Sequence, residues 1–388
     1  MKSKSLSNKR LAVITTHPQY YQVPIFQQIK KKKLFNLDVY YASDEGGKIS
    51  NCNEFGRKII WDTPLLKSHD YFIARDQKKH IDSFFLSFSN LKKLLTKKKY
   101  TAILILGWNN IFYLKSFFLA LFLGIPMILR VETNNDKKIS FIKKIIKSFF
   151  LFFYLRCFDY FLYIGKRNKN FYKDYNIQNN KLFYAPYSAD SNFYFKKNIN
   201  LNFFKKNFNP QNKKIILFVG KLIERKNPKT FIDLALAFKN NDDLLFVLVG
   251  DGNLMSYCKN YIEHNKLENI KLVGFKNRKE IRDIYKISYL LVMTSKYETW
   301  GLVVNEAIAC KLPVLVSSSC GCSDDLIKNS LTGFVYKEGN FIDLKRKFVK
   351  LINNKILYSK IKSNLIPHIK KQNFDVTITS LRKILNKI

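Results

Sequence analysis

Two glutamates, Glu298 and Glu306, stand eight positions apart in SKYETWGLVVNEA, residues 295–307. The apolar run YLLVMTS leads into them. A short apolar run bounded by polar residues reads as a buried strand, so Glu298 is delivered to a loop at its carboxyl end. Gly301 permits close approach of the backbone to a ligand. A helix starting after it turns the amides of Leu302 and Val303 outward near its positive end. Glu306 falls on that helix. Carboxylates so placed suit sugar hydroxyls, Glu306 the vicinal pair of a ribose and Glu298 those of a second sugar. A plainer account also fits, with Glu298 capping the helix and Glu306 an ordinary surface carboxylate.

Two ammonium groups come next, in LFVGKLIERKNPKTF, residues 217–231. A strand ends at Gly220, Lys221 follows at once, and Lys226 precedes Pro228, which suits the first turn of a helix. Two lysines beside backbone amides and a helix start make a diphosphate site. In a lysine-rich chain they also read as two solvated side chains. Earlier, THPQYYQVP carries His17, LGWNN carries Trp108, and LRVETNN carries Arg130 and Glu132. Each segment follows an apolar run. His17 reads as a base, an acceptor contact or a loop residue. Arg130 and Glu132 contact an acceptor or pair with each other.

The elements that must position these residues alternate strand and helix. In the first half, strands are expected at 11–15, 35–41, 101–106, 126–131 and 160–164, with helices between them. Between Lys196 and Lys214 the pattern lapses into polar, Asn-rich sequence with Pro210, which reads as a linker. It then restarts with strands at 214–219, 244–249, 270–273, 289–293 and 313–317. Such alternation with short links implies parallel sheets covered on both faces. The expected architecture is α/β, two doubly wound Rossmann-like domains facing a central cleft: 1–200, a linker at 201–212, and 213–370. A helix at 371–388 is expected to pack back on the first domain. In such sheets ligands sit beyond the carboxyl ends of the strands, where every residue singled out above lies.

Composition narrows the class. The chain has 388 residues, 47% of them apolar, and a formal charge of +39. Residues 1–200 carry 35 basic and 13 acidic groups, the remainder 33 and 16. The charge is spread over the chain and no recognition motif accompanies it, which argues against a nucleic-acid partner and leaves a compositional bias of the whole chain or an anionic membrane surface. Six scattered cysteines form no CxxC pair, so neither zinc nor a disulfide framework is expected. The run LAVI near the amino end is too short for a signal peptide. Residues 111–129 and 148–164 are apolar enough to resemble spans, but carry Lys115, and Arg156 with Asp159; each divides into a buried helix and a buried strand. The expected location is cytoplasmic, peripheral on the inner face of the membrane.

The order FVGKLIERKNP, LVGDGN, VGF, SKYETWGLVVNEAIACKLPVLVS, LTGFVY resembles the family 4 retaining glycosyltransferases of GT-B fold, down to two glutamates separated by seven residues. HPQYYQVPIF and GIPMILRVETN resemble a branch that builds surface polysaccharides and glycolipids. The resemblance implies that Lys221 and Lys226 hold the diphosphate of a nucleotide sugar, aided by Gly220 and the Leu302 and Val303 amides. It implies that Glu306 takes the ribose, Glu298 the donor sugar, and the stretch around Phe275 the base. A glycan or lipid-linked acceptor would meet His17, Trp108, Arg130 and Glu132, with His17 and Glu132 near the reacting centre. No cofactor or metal is implied, and no DxD follows a strand. Three departures stand out: Lys221 replaces the usual arginine, losing its planar fork; His17–Tyr21 lacks the usual paired glycines; and Glu132 stands where relatives place a histidine. A nucleotide-sugar epimerase of the same fold and a non-catalytic binding relative remain alternatives.

Overall fold

A computed structural model describes residues 6–44, 49–52, 57–60, 65–74, 88–135, 140–196, 201–209 and 211–388. Residues 1–5 of the basic amino end, and residues 197–200 and Pro210 of the expected linker, lie outside the described residues. The chain forms two compact units. Unit 1 takes Met1–Asn51, Lys58–Tyr187 and Phe374–Ile388; unit 2 takes Cys52–Arg57 and Ser188–Asn373.

The strands in chain order are β1 (Arg10–Thr15), β2 (Asn36–Tyr41), β3 (Ile49–Cys52), β4 (Arg57–Ile60), β5 (Tyr71–Ile73), β6 (Ala102–Ile105), β7 (Met127–Arg130), β8 (Tyr160–Tyr163) and β9 (Leu182–Tyr184). They continue as β10 (Lys214–Val219), β11 (Leu244–Val249), β12 (Ile270–Gly274), β13 (Leu290–Met293), β14 (Val314–Ser317) and β15 (Gly333–Tyr336). Unit 1 holds a seven-stranded sheet in the order β5-β2-β1-β6-β7-β8-β9, and unit 2 a six-stranded sheet in the order β12-β11-β10-β13-β14-β15. β3 and β4 pair separately. Every pairing within the two large sheets is parallel.

The apolar runs explain this arrangement. The strands AILI, LLFVLV, LLVM and VLVS are buried at every position, as a parallel sheet covered by helices on both faces requires. In each sheet the strand order reverses once beside the first strand, between β1 and β6 in unit 1 and between β10 and β13 in unit 2. Ligands of open α/β sheets bind at such switch points.

Two expectations change. The segment expected as a linker contains a helix, Leu201–Phe208. Leu201, Phe204 and Phe208 recur at helical spacing, with Phe204 stacked on Phe208 at 5.5 Å between centroids, beneath an Asn- and Lys-rich surface. The helices of the two span-like stretches are also less buried than expected: Phe118, Leu121 and Phe122 of Ile111–Phe122 are exposed, as is much of Phe141–Arg156.

The helix Phe374–Lys387 closes unit 1. Its Phe374, Ile378, Leu381, Ile384 and Leu385 are buried with Val23, Phe26, Ile29 and Leu37. Its Thr377 hydroxyl lies 3.4 Å from the Pro186 carbonyl, and Ser380 donates to the Tyr184 carbonyl.

Candidate functional site

In unit 2 the loops after β10 and β13 flank the switch point and are tied together. After β10 come Gly220 and Lys221, then a 3-10 turn at Glu224–Lys226, then Asn227 in the left-handed region at φ 52°, with Pro228 opening the helix Pro228–Ala237. Thr294, directly after β13, donates to the Asn227 carbonyl at 2.8 Å, and the Lys296 amide to the Arg225 carbonyl at 2.9 Å. From the other side, the Gly321 amide donates to the Glu298 carbonyl at 2.9 Å.

This lacing sets Lys226 against Glu298. The ammonium donates to the carboxylate, and the Arg225 guanidinium lies 3.3 Å from the same oxygen. The Lys226 and Glu298 side chains are only 14% and 10% exposed, so solvent screens the pair weakly. Glu298 does not cap the following helix. The cap of Leu302–Ala309 is Gly301, at φ 103° and without a side-chain bond to the helix amides. Only glycine holds that backbone without penalty. The first-turn amides of Leu302 and Val303 therefore begin the helix beside Glu298.

Glu306 is no surface residue, being 7% exposed. The fully buried Tyr285, on the helix Arg278–Ile287, donates to it at 3.0 Å. The same helix buries Arg278, whose guanidinium lies 4.1 Å from the Phe193 ring centre. Trp300 is pinned by its indole N–H to the Asn305 side chain at 2.7 Å, which locks the approach to Gly301. Phe275 is half-buried just past β12, after Gly274. Gly250, past β11, has no room for a side chain: a Cβ there would lie 1.8 Å from the Gly220 carbonyl oxygen.

Unit 1 gathers its candidates at the carboxyl ends of β1, β6 and β7. His17 Nδ1 is 3.0 Å from the Thr16 hydroxyl. Trp108 donates from its indole to Thr133 at 2.9 Å. Arg130, 6% exposed, donates to the Ala185 carbonyl at 3.1 Å, and its guanidinium lies 5.0 Å from the Tyr187 ring centre. Its Nε is buried without a hydrogen-bond partner. Glu132 accepts from the Tyr187 hydroxyl, so the partner found for it is a tyrosine far along the chain, where the sequence offered Arg130. Tyr187 meets Tyr21 edge-on at 5.0 Å. Burial, with the Glu132 charge adding to it, holds both phenols well above their ordinary pKa. They stay protonated, which keeps Tyr187 a donor to Glu132.

Each site residue expected from sequence thus lies past the carboxyl end of a strand or on the helix that follows, except Arg130, which is the last residue of β7. Arg225, Tyr285, Tyr187 and Tyr21 were not singled out. Arg225 had a signal, standing next to Lys226. The tyrosines had none, because their partners lie on other elements. Among the described residues no group of three or more His, Cys, Asp or Glu side chains is arranged to hold a metal.

Comparison with known proteins follows the same outline. Residues 200–366 match the family Glycosyl transferases group 1. The UDP-Gal:alpha-D-GlcNAc-diphosphoundecaprenol alpha-1,3-galactosyltransferase of Escherichia coli is 32% identical over 152 residues, 38% of each chain. The poly(ribitol-phosphate) alpha-N-acetylglucosaminyltransferase of Staphylococcus aureus is 29% identical over 164 residues, 40% of this chain and 32% of that one. The matches span about half or less of these curated relatives. Among solved structures, Alr3699/HepE of Anabaena, in complex with UDP and glucose, superposes with a TM-score of 0.77 at 14% identity, covering 98% of this chain and 100% of that one. The fold is that of GT-B glycosyltransferases.

Proposed function

We propose that this chain, whose residues 200–366 match the family Glycosyl transferases group 1, transfers a sugar from a nucleoside diphosphate sugar to a hydroxyl acceptor with retention at the anomeric carbon. The observation that carries this is the placement of Lys226 against Glu298 at the switch point of unit 2, with Glu306 buried on the helix that Gly301 opens.

In this reading Glu306 accepts from the ribose hydroxyls and Glu298 from the donor sugar. As the bond from the anomeric carbon to the diphosphate breaks, the departing oxygen gains negative charge. Lys221, Lys226 and the Leu302 and Val303 amides stabilise that charge where it develops, which supplies most of the rate. The acceptor oxygen bonds to the anomeric carbon on the same face, and its proton passes to the departing diphosphate. The protein's own cations carry the charge, so no metal is invoked. The acceptor side is assigned to His17, Trp108, Arg130 and Glu132 of unit 1.

The names of the E. coli and S. aureus relatives, a diphosphoundecaprenol glycan and a poly(ribitol-phosphate), support an acceptor in surface polysaccharide or glycolipid synthesis. Such an acceptor is met at the cytoplasmic side of an anionic membrane, where a strongly basic protein sits peripherally.

Thermal melting with uridine, guanosine and adenosine diphosphates tests the donor site, because a tight ligand raises the midpoint. If none raises it, the reading fails. A donor-consumption assay should then lose most of its rate in Lys226→Ala and in Glu306→Ala. Release of an epimerised free sugar without acceptor would instead identify an epimerase.

A further inference from the structure

We propose that the helix Phe141–Arg156 lies in the plane of an anionic membrane surface, with its outer stripe sunk among the acyl chains. The helix has two apolar faces. Leu151, Tyr154 and Leu155 are buried in unit 1. Ile142, Ile145, Ile146, Phe149 and Phe153 recur at the 3–4-residue spacing of one helical face, and are 69%, 53%, 65%, 69% and 54% exposed. At about 100° per residue the two faces point in nearly opposite directions. Core packing therefore accounts for one stripe and leaves the other facing outward.

The outer stripe is not alone. An open surface hollow of about 570 Å³ lies along the helix itself, lined by Ile145, Phe149 and Phe153 of the stripe together with Phe141, Phe152 and Lys144. The neighbouring helix Ile111–Phe122 meets this one through Phe117 and Tyr154, 4.6 Å between ring centroids. Its Phe118, Leu121 and Phe122 are exposed as well. An apolar face of this extent marks a docking surface.

Charge selects the occupant. The helix carries Lys143, Lys144, Lys147 and Arg156 and no acidic residue. Lys92 lies 5.6 Å from the Phe122 ring centre. A second copy of a chain of net charge +39 would bring the same sign to the contact and repel. Anionic headgroups attract it, while lysine stems reach from the acyl boundary to the headgroups. With 16 residues, about 24 Å long, the helix is too short to cross the bilayer, and among the described residues no helix is long and apolar enough to do so. An in-plane helix remains.

The inference rests on the membrane-peripheral part of the proposed function and not on its donor chemistry. The test is co-sedimentation of the full chain with vesicles of phosphatidylglycerol and phosphatidylcholine, against phosphatidylcholine alone. Wild type should partition to the anionic vesicles, and Ile146→Ser/Phe149→Ser/Phe153→Ser should lose about tenfold or more of that partitioning. All three positions are exposed, so the variant should keep its thermal midpoint and its consumption of nucleotide sugar in the absence of vesicles. Absence of vesicle binding by wild type, or equal binding by the variant, overturns the inference. So does a wild-type dimer that ignores vesicles and that the variant makes monomeric. A wild type that consumes donor but does not bind vesicles removes only this inference; a wild type that binds vesicles but consumes no donor removes only the transferase reading.

Discussion

The Lys226 ammonium donates to the carboxylate of Glu298, 72 residues further along the chain. A cation suited to a diphosphate and an anion suited to a sugar thus hold each other at the switch point of unit 2. In the proposed reading a nucleoside diphosphate competes with Glu298 for that ammonium. Glu298→Gln removes the competitor, so free uridine diphosphate should bind about tenfold more tightly, about 1.4 kcal/mol. Turnover of the nucleotide sugar should fall, because the carboxylate proposed to hold the sugar is gone. Isothermal titration paired with donor consumption reads both. Weaker nucleotide binding by the variant would contradict the competition.

Tyr285 gives Glu306 a buried donor. Tyr285→Phe strips one bond from a carboxylate only 7% exposed and should cost about 1–2 kcal/mol of stability. If Glu306 holds the ribose equally in the ground and transition states, the donor KM should rise severalfold with kcat nearly unchanged. A fall in kcat at constant KM would place Tyr285 in the chemical step instead.

Gly250→Ala drives a methyl group into the Gly220 carbonyl, 1.8 Å away. Backbone cannot swing aside as a flexible side chain does, so the cost should reach about 3 kcal/mol. Gly274→Ala is the control. Its φ is +69°, but nothing lies within 4 Å, so it should cost only the left-handed strain, about 1–2 kcal/mol. Urea midpoints compare the two, and equal losses would refute the contact argument. Gly250→Ala should also weaken nucleotide binding, since Lys221 follows Gly220 directly.

Asp38 in unit 1 accepts from Arg10 and Lys98, at 2.8 Å and 2.7 Å, and from the Tyr100 hydroxyl at 3.0 Å. Burial pushes its carboxyl up, but the bonds from Lys98, Arg10 and Tyr100 outweigh burial and hold it below the ordinary aspartate value. A depressed folded pKa means that the unfolded chain binds the proton first. The stabilisation is therefore complete above the unfolded value, about 3.9, and is lost as pH falls through the lower folded value. Asp38→Asn should cost about 3 kcal/mol near neutral pH. The gap in melting temperature between variant and wild type should close toward pH 3. A gap that stays constant with pH would mean that packing, not charge, is responsible.

Unit 2 was the more legible half. Its strands are continuous apolar runs, because both faces of a parallel sheet are covered, and its site residues follow those runs directly. The three-residue strands β5 and β9 escaped notice because so short a run marks them, and the eight-residue helix Leu201–Phe208 because Asn and Lys interrupt its apolar spacing. At the site, the identity of Glu298 and Lys226 was legible and their contact was not. Nothing local in sequence tells a loop which other loop it will be laced to. The helix Phe141–Arg156 shows a further limit: its apolar residues announce a helix, but two opposed apolar faces do not say which one meets the core.

The helix Phe374–Lys387 sets an order on the birth of the molecule. Unit 1 begins at the amino end, yet Ile378, Leu381 and Ile384 of its core come after all of Ser188–Asn373. During synthesis the sheet of unit 1 leaves the ribosome before that of unit 2 and waits for this helix until unit 2 has been translated, roughly 10–40 s at ordinary elongation rates. Through that interval the surface around Val23, Phe26 and Ile29 is an open apolar patch. The unit begun first is the one finished last, and its nascent form is the species a chaperone would meet.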